Sequence, residues 1–156
     1  MALTINQQIF EQIKKSQKIL ITFKQNWSGD ALASSLAIFL LLKKLNKQTD
    51  MVCQDFTVPK NFSFLPQIRQ IKPVFLGLKN FVITLDLTKN KVKNFSYDIR
   101  DNKLNIYLTP ESGDLDKNNI SFKPGNYKYD LIIILDSDSL ESLGAGYNDN
   151  TDFFFN

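Results

Sequence analysis

The stretch Lys18–Leu45, KILITFKQNWSGDALASSLAIFLLLKKL, decides the fold. Ile19–Phe23 is a short β-branched and aromatic run, the composition of a buried strand. Lys24–Gly29 is polar and carries the turn. From Asp30 to about Leu45 the chain is apolar nearly all round, which predicts a helix buried against a sheet and a neighbour. In an open α/β sheet the loop leaving the carboxyl end of a strand is where ligands bind. Lys24, Asn26, Ser28 and Asp30 are therefore expected to face a crevice. An Asp in a first helical turn also caps free N–H groups and suits the helix dipole, and that is the ordinary reading of Asp30 by itself.

A second stretch repeats the grammar. Tyr129–Gly144, YDLIIILDSDSLESLG, gives an aliphatic strand, an acidic turn and a helix start. Leu131–Leu135 is continuous and apolar, which predicts a central strand. Ser139–Leu143 reads as a short helix closed by Gly144, with Asp138 as its cap. Two strand-end carboxylates on one edge of a parallel sheet would be placed to share a divalent cation, because hard cations take oxygen ligands.

The first stretch resembles the opening motif of the DHH/DDH phosphoesterases, the group of RecJ-like exonucleases and nanoRNase-type enzymes. Their pattern is a strand, then His-x-Asn-Pro-Asp-Gly-Asp-Ala-Leu-Gly-Ser, then an Ala/Leu-rich helix. Asn26, Gly29, Asp30, Ala31, Leu32 and Ser34 match it. The second stretch is similar to the family's second motif, with Asp136 in the place of the metal-bridging Asp. The resemblance implies metal ligation by Asp30 and Asp136. It implies phosphate or substrate contacts from Lys24, Asn26, Ser28 and Ser34, and Mn²⁺ or Mg²⁺ as cofactor, with one ion or none retained. The implied ligand is a nucleotide or short single-stranded oligonucleotide.

The departures from that pattern are specific. Lys24 stands where the family has a metal-binding His, Trp27 where it has Pro, and Ser28 where it has its first metal-binding Asp. The chain contains no His, and the third motif, Asp-His-His, is not in it. A Lys ammonium has donors only and Ser is a weak neutral ligand, so neither replaces what it displaces. The expectation is the N-terminal part of a DHH/DDH-type domain, residues 1–156, that binds or acts on phosphodiesters. Any metal-dependent hydrolysis is weakened by the lost ligands. The alternative is a catalytically inactive relative serving as a nucleotide-binding or protein-interaction module. Lys24 would then occupy the metal's charge position and meet a phosphate directly. Trp27 would stack on a base or, as a lone Trp more often does, cover an apolar edge.

Composition sets the outer bounds. The 156 residues suit one domain with a sizeable core. A net charge of +3 is compatible with an anionic ligand, but the lysines are scattered and form no concentrated basic face. The single cysteine, Cys53, excludes an internal disulfide, suits a reducing cytoplasm and reads as a small core residue. The longest apolar run, Leu36–Leu42, is too short to span a bilayer.

Other segments complete the layout. Leu3–Lys15 reads as an amphipathic helix with Thr4 as N-cap, packed across the sheet. Asn46 ends the long helix, and Thr49–Cys53 is a second strand parallel to the first. In PKNFSFLP, residues 59–66, Phe62, Phe64 and Leu65 are expected to enter the core, and Gln67–Ile71 to add a helical turn. Phe81–Leu87 reads as a third buried strand, with Asp86 a solvated strand-end carboxylate. Phe95–Ile99 and Leu104–Leu108 flank Asp101–Asn102 and predict a β-hairpin, one face solvated, that makes the sheet mixed. Thr109–Lys128 is turn-rich and reads as a surface loop. The run Phe153–Phe155 is too apolar to stay uncovered, and is expected to lead into further protein. The expected architecture is a Rossmann-like three-layer α/β domain, with a mainly parallel central sheet, a β-hairpin, and helices on both faces.

Overall fold

Ile19, Leu20, Ile21, Thr22 and Phe23 are all buried, and this strand, β1 (Lys18–Phe23), lies inside a four-stranded sheet. The structure is a computed structural model that describes residues 3–155. On one side β1 pairs in parallel with β2 (Gln48–Val52), which in turn pairs with the short β3 (Ile71–Lys72). On the other side it pairs in parallel with β8 (Leu131–Leu135), from Ile19 opposite Leu131 to Phe23 opposite Leu135. The sheet order is β3-β2-β1-β8 and every pairing in it is parallel. The protein is therefore mixed α/β, as the strand–turn–helix grammar predicts. The aliphatic strand β8 is not central, however. It is an edge strand whose residues are all half-buried.

Two apolar layers hold this sheet. On one face Ile19, Ile21 and Phe23 pack with Leu32, Leu36, Phe39 and Leu42 of α2 (Gly29–Lys44), joined by Phe56 and Ile68. On the other, Leu20 and Val52 pack with Phe75, Leu78 and Phe153. Alternation of side chains along a strand assigns these faces. A buried Leu, Ile or Phe contributes about 1.5–3 kcal/mol, so the two layers carry most of the stabilisation of the sheet. Although α2 is apolar all round, only one stripe of it is covered, and Leu40, Leu41 and Leu45 are exposed. It ends at Asn46 in the left-handed region (φ 59°), a conformation Asn tolerates.

The N-terminal helix α1 (Ile5–Lys15) begins with the Thr4 capping box, completed by Gln7. It does not lie buried on the sheet. None of its residues is buried, Ile13 alone packs against the core, and Ile5, Ile9 and Phe10 are exposed. Between β2 and β3, Phe62 and Leu65 pack on the core as expected, whereas Phe64 points to solvent. Pro66–Gln70 makes a 3-10 turn. Of the C-terminal Phe run, Phe153 packs back on the sheet, Phe154 is half-buried and Phe155 is exposed. Phe153 and Phe154 lie on α4 (Thr151–Phe154), just after α3 (Ala145–Asn148), and Phe153 sits beside Tyr127 and Tyr129.

Where length suggests one domain, the chain divides into two compact units, Asn80–Asn126 and the remainder. The smaller unit holds most of β4 (Lys79–Leu85), the hairpin β5 (Val92–Arg100) and β6 (Lys103–Pro110), and most of β7 (Ile120–Tyr127). The hairpin is the predicted one, turning at Asp101 and Asn102 with φ of 51° and 58°. These are the values a two-residue primed turn requires. It does not join the main sheet, so that sheet is not mixed. β4, expected as a third buried strand, is largely exposed and pairs with β7, where the sequence suggested only loop. Gly125 permits that pairing, because a Cβ there would meet Val82 at 2.8 Å and the Asn80 carbonyl at 3.0 Å. Asp86 is exposed and closes a turn onto the Thr88 amide and hydroxyl. These hydrogen bonds hold its carboxyl below the usual range. No helix among the described residues is long and apolar enough to cross a membrane.

Candidate functional site

The parallel register of β1 and β8 builds the site. Phe23 faces Leu135 in the last pair, so Lys24 and Asp136 are the next residues outward on neighbouring strands. Asp136 turns the chain sharply, with φ of 48°, a left-handed conformation that Asp adopts more readily than most residues. Its Oδ2 lies 3.0 Å from Lys24 Nζ and accepts a hydrogen bond from Ser28 Oγ at 2.7 Å. The Ser28 and Lys24 hydrogen bonds, in that order, hold the Asp136 carboxyl below its ordinary range.

Ser28 has a second task. It is the N-cap of α2, accepting from the Ala31 amide at 3.0 Å. The sequence assigned that cap to Asp30, but Asp30 sits inside the first turn, exposed, where it complements the helix dipole. Ser28 is the better cap because its short side chain reaches the N3 amide from the non-helical residue before the helix. A conventional cap signal, Ser directly before Gly-Asp-Ala, was present in the sequence for it.

An open cleft of about 720 Å³ lies at these strand ends, lined by Lys24, Asn26, Asp136, Ser137 and Asp138. Of the expected residues, the structure thus brings Lys24, Asn26 and Asp136 to one cleft, with Ser28 bonded to its carboxylate. Asp30 and Ser34 are exposed on α2 and lie outside that lining. Asp138 does not cap the following turn, Leu140–Leu143, whose N-cap Ser139 makes no side-chain bond; it faces the cleft. Ser137, not singled out from sequence, hydrogen-bonds the Ser139 carbonyl at 2.7 Å and the Ser142 hydroxyl. A stretch of alternating Ser and Asp after a strand was the available signal.

The loops on either side of the cleft are tied together. The Gln25 amide donates to the Ser142 carbonyl at 2.9 Å, and its side chain donates to Asp55 at 2.8 Å. Gly144, with φ of 66°, lies where any Cβ would collide with Gln25. Trp27 packs against Phe56 and Phe62 at ring distances of 5.6 and 6.5 Å, half-buried at the core edge. Behind the cleft, Cys53 is fully buried and directs Sγ to the Lys24 carbonyl at 3.6 Å. Burial first, with Asp55 adding to it, pushes the thiol up to about 12.

The donors at Asp136 are the Lys24 ammonium and the Ser28 hydroxyl. Both contacts fall on Asp136 Oδ2, and the Asp138 carboxylate lines the same cleft. Among the described residues no group of three or more His, Cys, Asp and Glu side chains is disposed to hold a metal ion. What the arrangement can do is present N–H and N⁺–H donors from Asn26 and Lys24 to an anion in the cleft. No family model, curated protein or solved structure matches this chain.

Proposed function

We propose that the cleft at the carboxyl ends of β1 and β8 binds the phosphate of a nucleotide or short single-stranded oligonucleotide. On this reading the chain is a DHH/DDH phosphoesterase-like domain of Rossmann-like, three-layer type, with Lys24 taking the place of a metal's charge. One observation carries the reading: Lys24, Ser28 and Asp136 converge at adjacent parallel strand ends, beside the N-terminus of α2. That is where open parallel sheets place ligands. Lys24 has three donors and spends one on Asp136, so the others remain for a phosphate oxygen. Asp136 in this role orients Lys24 rather than coordinating an ion.

The hydrolytic form of the same reading rests on Asp30 and Asp136, the two carboxylates retained from the motif pair. It requires Mn²⁺ or Mg²⁺ beside a carboxylate already paired with Lys24, with Asp30 outside the cleft lining. The phosphate-binding, non-hydrolytic form is therefore preferred here.

Calorimetric titration with AMP and with a short oligonucleotide, with and without Mn²⁺, tests both forms. Binding without metal that is lost in Lys24→Gln supports the preferred one. Saturable Mn²⁺ binding that is lost in Asp30→Ala and in Asp136→Ala moves the conclusion to the hydrolytic form. Failure to bind AMP, oligonucleotide and Mn²⁺ alike removes the phosphate reading.

A further inference from the structure

The smaller unit, Asn80–Asn126, contains no buried residue, yet most of the apolar side chains of its hairpin fall on one face. The β5–β6 register sets Phe95 opposite Leu108, Tyr97 opposite Ile106 and Ile99 opposite Leu104. Alternation puts these six on one face of the hairpin. The other face carries Ser96 opposite Tyr107, Asp98 opposite Asn105 and Arg100 opposite Lys103. The β4–β7 ribbon adds Phe81 stacked on Phe122, with ring centroids 6.0 Å apart. Both ribbons line one apolar groove of about 540 Å³, with Ile83, Leu85, Phe95, Leu104, Ile106 and Phe122 among its walls. Phe95 and Tyr97 are each 64% exposed, Phe122 65%, and Phe81 and Ile99 each 71%.

Two-stranded ribbons are marginal in water and need a third layer on their apolar face. We propose that this layer is the same face of a second copy of the chain, the two copies packing as a two-fold-related β-sandwich. The first argument is area. With an aromatic side chain burying about 150–250 Å², the exposed apolar groups of this unit leave on the order of 1,000 Å² uncovered. A single patch on a monomer is ordinarily about 300–600 Å², whereas a stable interface takes about 800 Å² from each partner. The second argument is self-complementarity. A two-fold contact sets a patch against itself, so any charge in it meets its like. Here the hairpin charges Asp98, Arg100 and Lys103 all lie on the opposite face, so the apolar face of the hairpin can meet itself without conflict.

Sedimentation velocity across the micromolar range tests this. The expected result is a reversible dimer, with dissociation raised at least about tenfold by Phe95→Asp or Tyr97→Asp and left unchanged by Ser96→Asp on the polar face. Amide dispersion in NMR spectra verifies that each variant is folded. Hydrogen exchange of the unmutated chain gives a second readout, with protection of residues 95–108 falling on dilution into the monomer range. A monomer at every concentration, a dimer indifferent to both face substitutions, species that grow beyond two copies, or exchange independent of concentration would each overturn the proposal.

Discussion

Lys24 Nζ stands 3.0 Å from Asp136 Oδ2, across two strand ends that lie 112 residues apart in the chain but one step beyond the same register pair. Ser28 donates to the same oxygen. Both hydrogen bonds stabilise the carboxylate over the carboxylic acid, which is why its titration is displaced downward. Ser28→Ala and Lys24→Gln should each return the Asp136 pKa toward the ordinary range near 3.9. Carboxyl ¹³C titration by NMR reads this directly. A folded-state pKa below the unfolded one gives stability that is present above the unfolded pKa and lost as pH falls through the folded pKa. The acid limb of the stability curve should therefore flatten in both variants.

Ser28→Ala should also weaken α2 itself. The substitution removes the hydroxyl that accepts from the Ala31 amide, and losing an N-cap costs about 0.5–2 kcal/mol. Ser28→Asp should retain the cap while placing a second carboxylate against Asp136. Chemical denaturation separates the two effects: Ser28→Ala is less stable at every pH, while Ser28→Asp loses its deficit as pH falls and the carboxylates protonate.

The strand–turn–helix grammar was legible because burial on both faces leaves a continuous apolar run, and Ile19–Phe23 is such a run. Leu131–Leu135 has the same appearance and yet lies at the sheet's edge. Strand position depends on which partner pairs with it, and a five-residue aliphatic run carries no record of that. The hairpin at Asp101–Asn102 was readable because both positions need a positive φ, which few residues adopt. Its separation from the main sheet was not readable, since the face it presents alternates as any half-covered strand would. At the site, Lys24 and Asp136 were placed at strand ends from sequence, but their ion pair follows from a long-range register and could not be read locally. Ser28 was named for substrate contact, while its cap and its bond to Asp136 account for the contacts it makes.

Cys53 should be inert in the folded protein. Its side chain is fully buried, and the thiol is pushed up to about 12, so almost none is thiolate at neutral pH. Labelling with a thiol-disulfide reagent should proceed at the rate of opening and become rapid in denaturant. Cys53→Ser should destabilise, because a hydroxyl in that apolar environment needs a partner stronger than the 3.6 Å contact to the Lys24 carbonyl.

Two neighbouring residues of α2 should behave in opposite ways. Phe39 is buried against β1 and β2 residues in the core, whereas Leu40 is 48% exposed. Phe39→Ala should cost about 3–5 kcal/mol through lost burial and a residual cavity. Leu40→Ala should stay within about 0.5 kcal/mol, the usual range for a surface site. Urea midpoints at constant m value measure both. Equal losses would mean that the exposed stripe of α2 is covered in solution.

Asp50 on β2 ties β3 and the segment before β8 together through its carboxylate. Oδ1 takes Lys72 of β3 at 2.9 Å, and Oδ2 takes Lys128 and the Tyr129 hydroxyl at 2.7 Å each. Burial opposes the charge, but the hydrogen bonds from Lys128, Lys72 and Tyr129 outweigh it and hold the carboxyl well below the usual range. The Tyr129 hydroxyl is raised, first by burial and then by its bond to Asp50. Asp50→Asn keeps the shape and removes the charge that three donors share. With one side of the group open to water, the loss should be about 1–2 kcal/mol near neutral pH. The sign of its pH dependence follows from the lowered pKa. The contribution is complete above about pH 4, where the unfolded carboxyl is ionised, and disappears as pH falls through the lower folded value. The two stability curves should therefore converge on acidification below pH 4. Curves that coincide at every pH would show that Asp50 acts through shape alone.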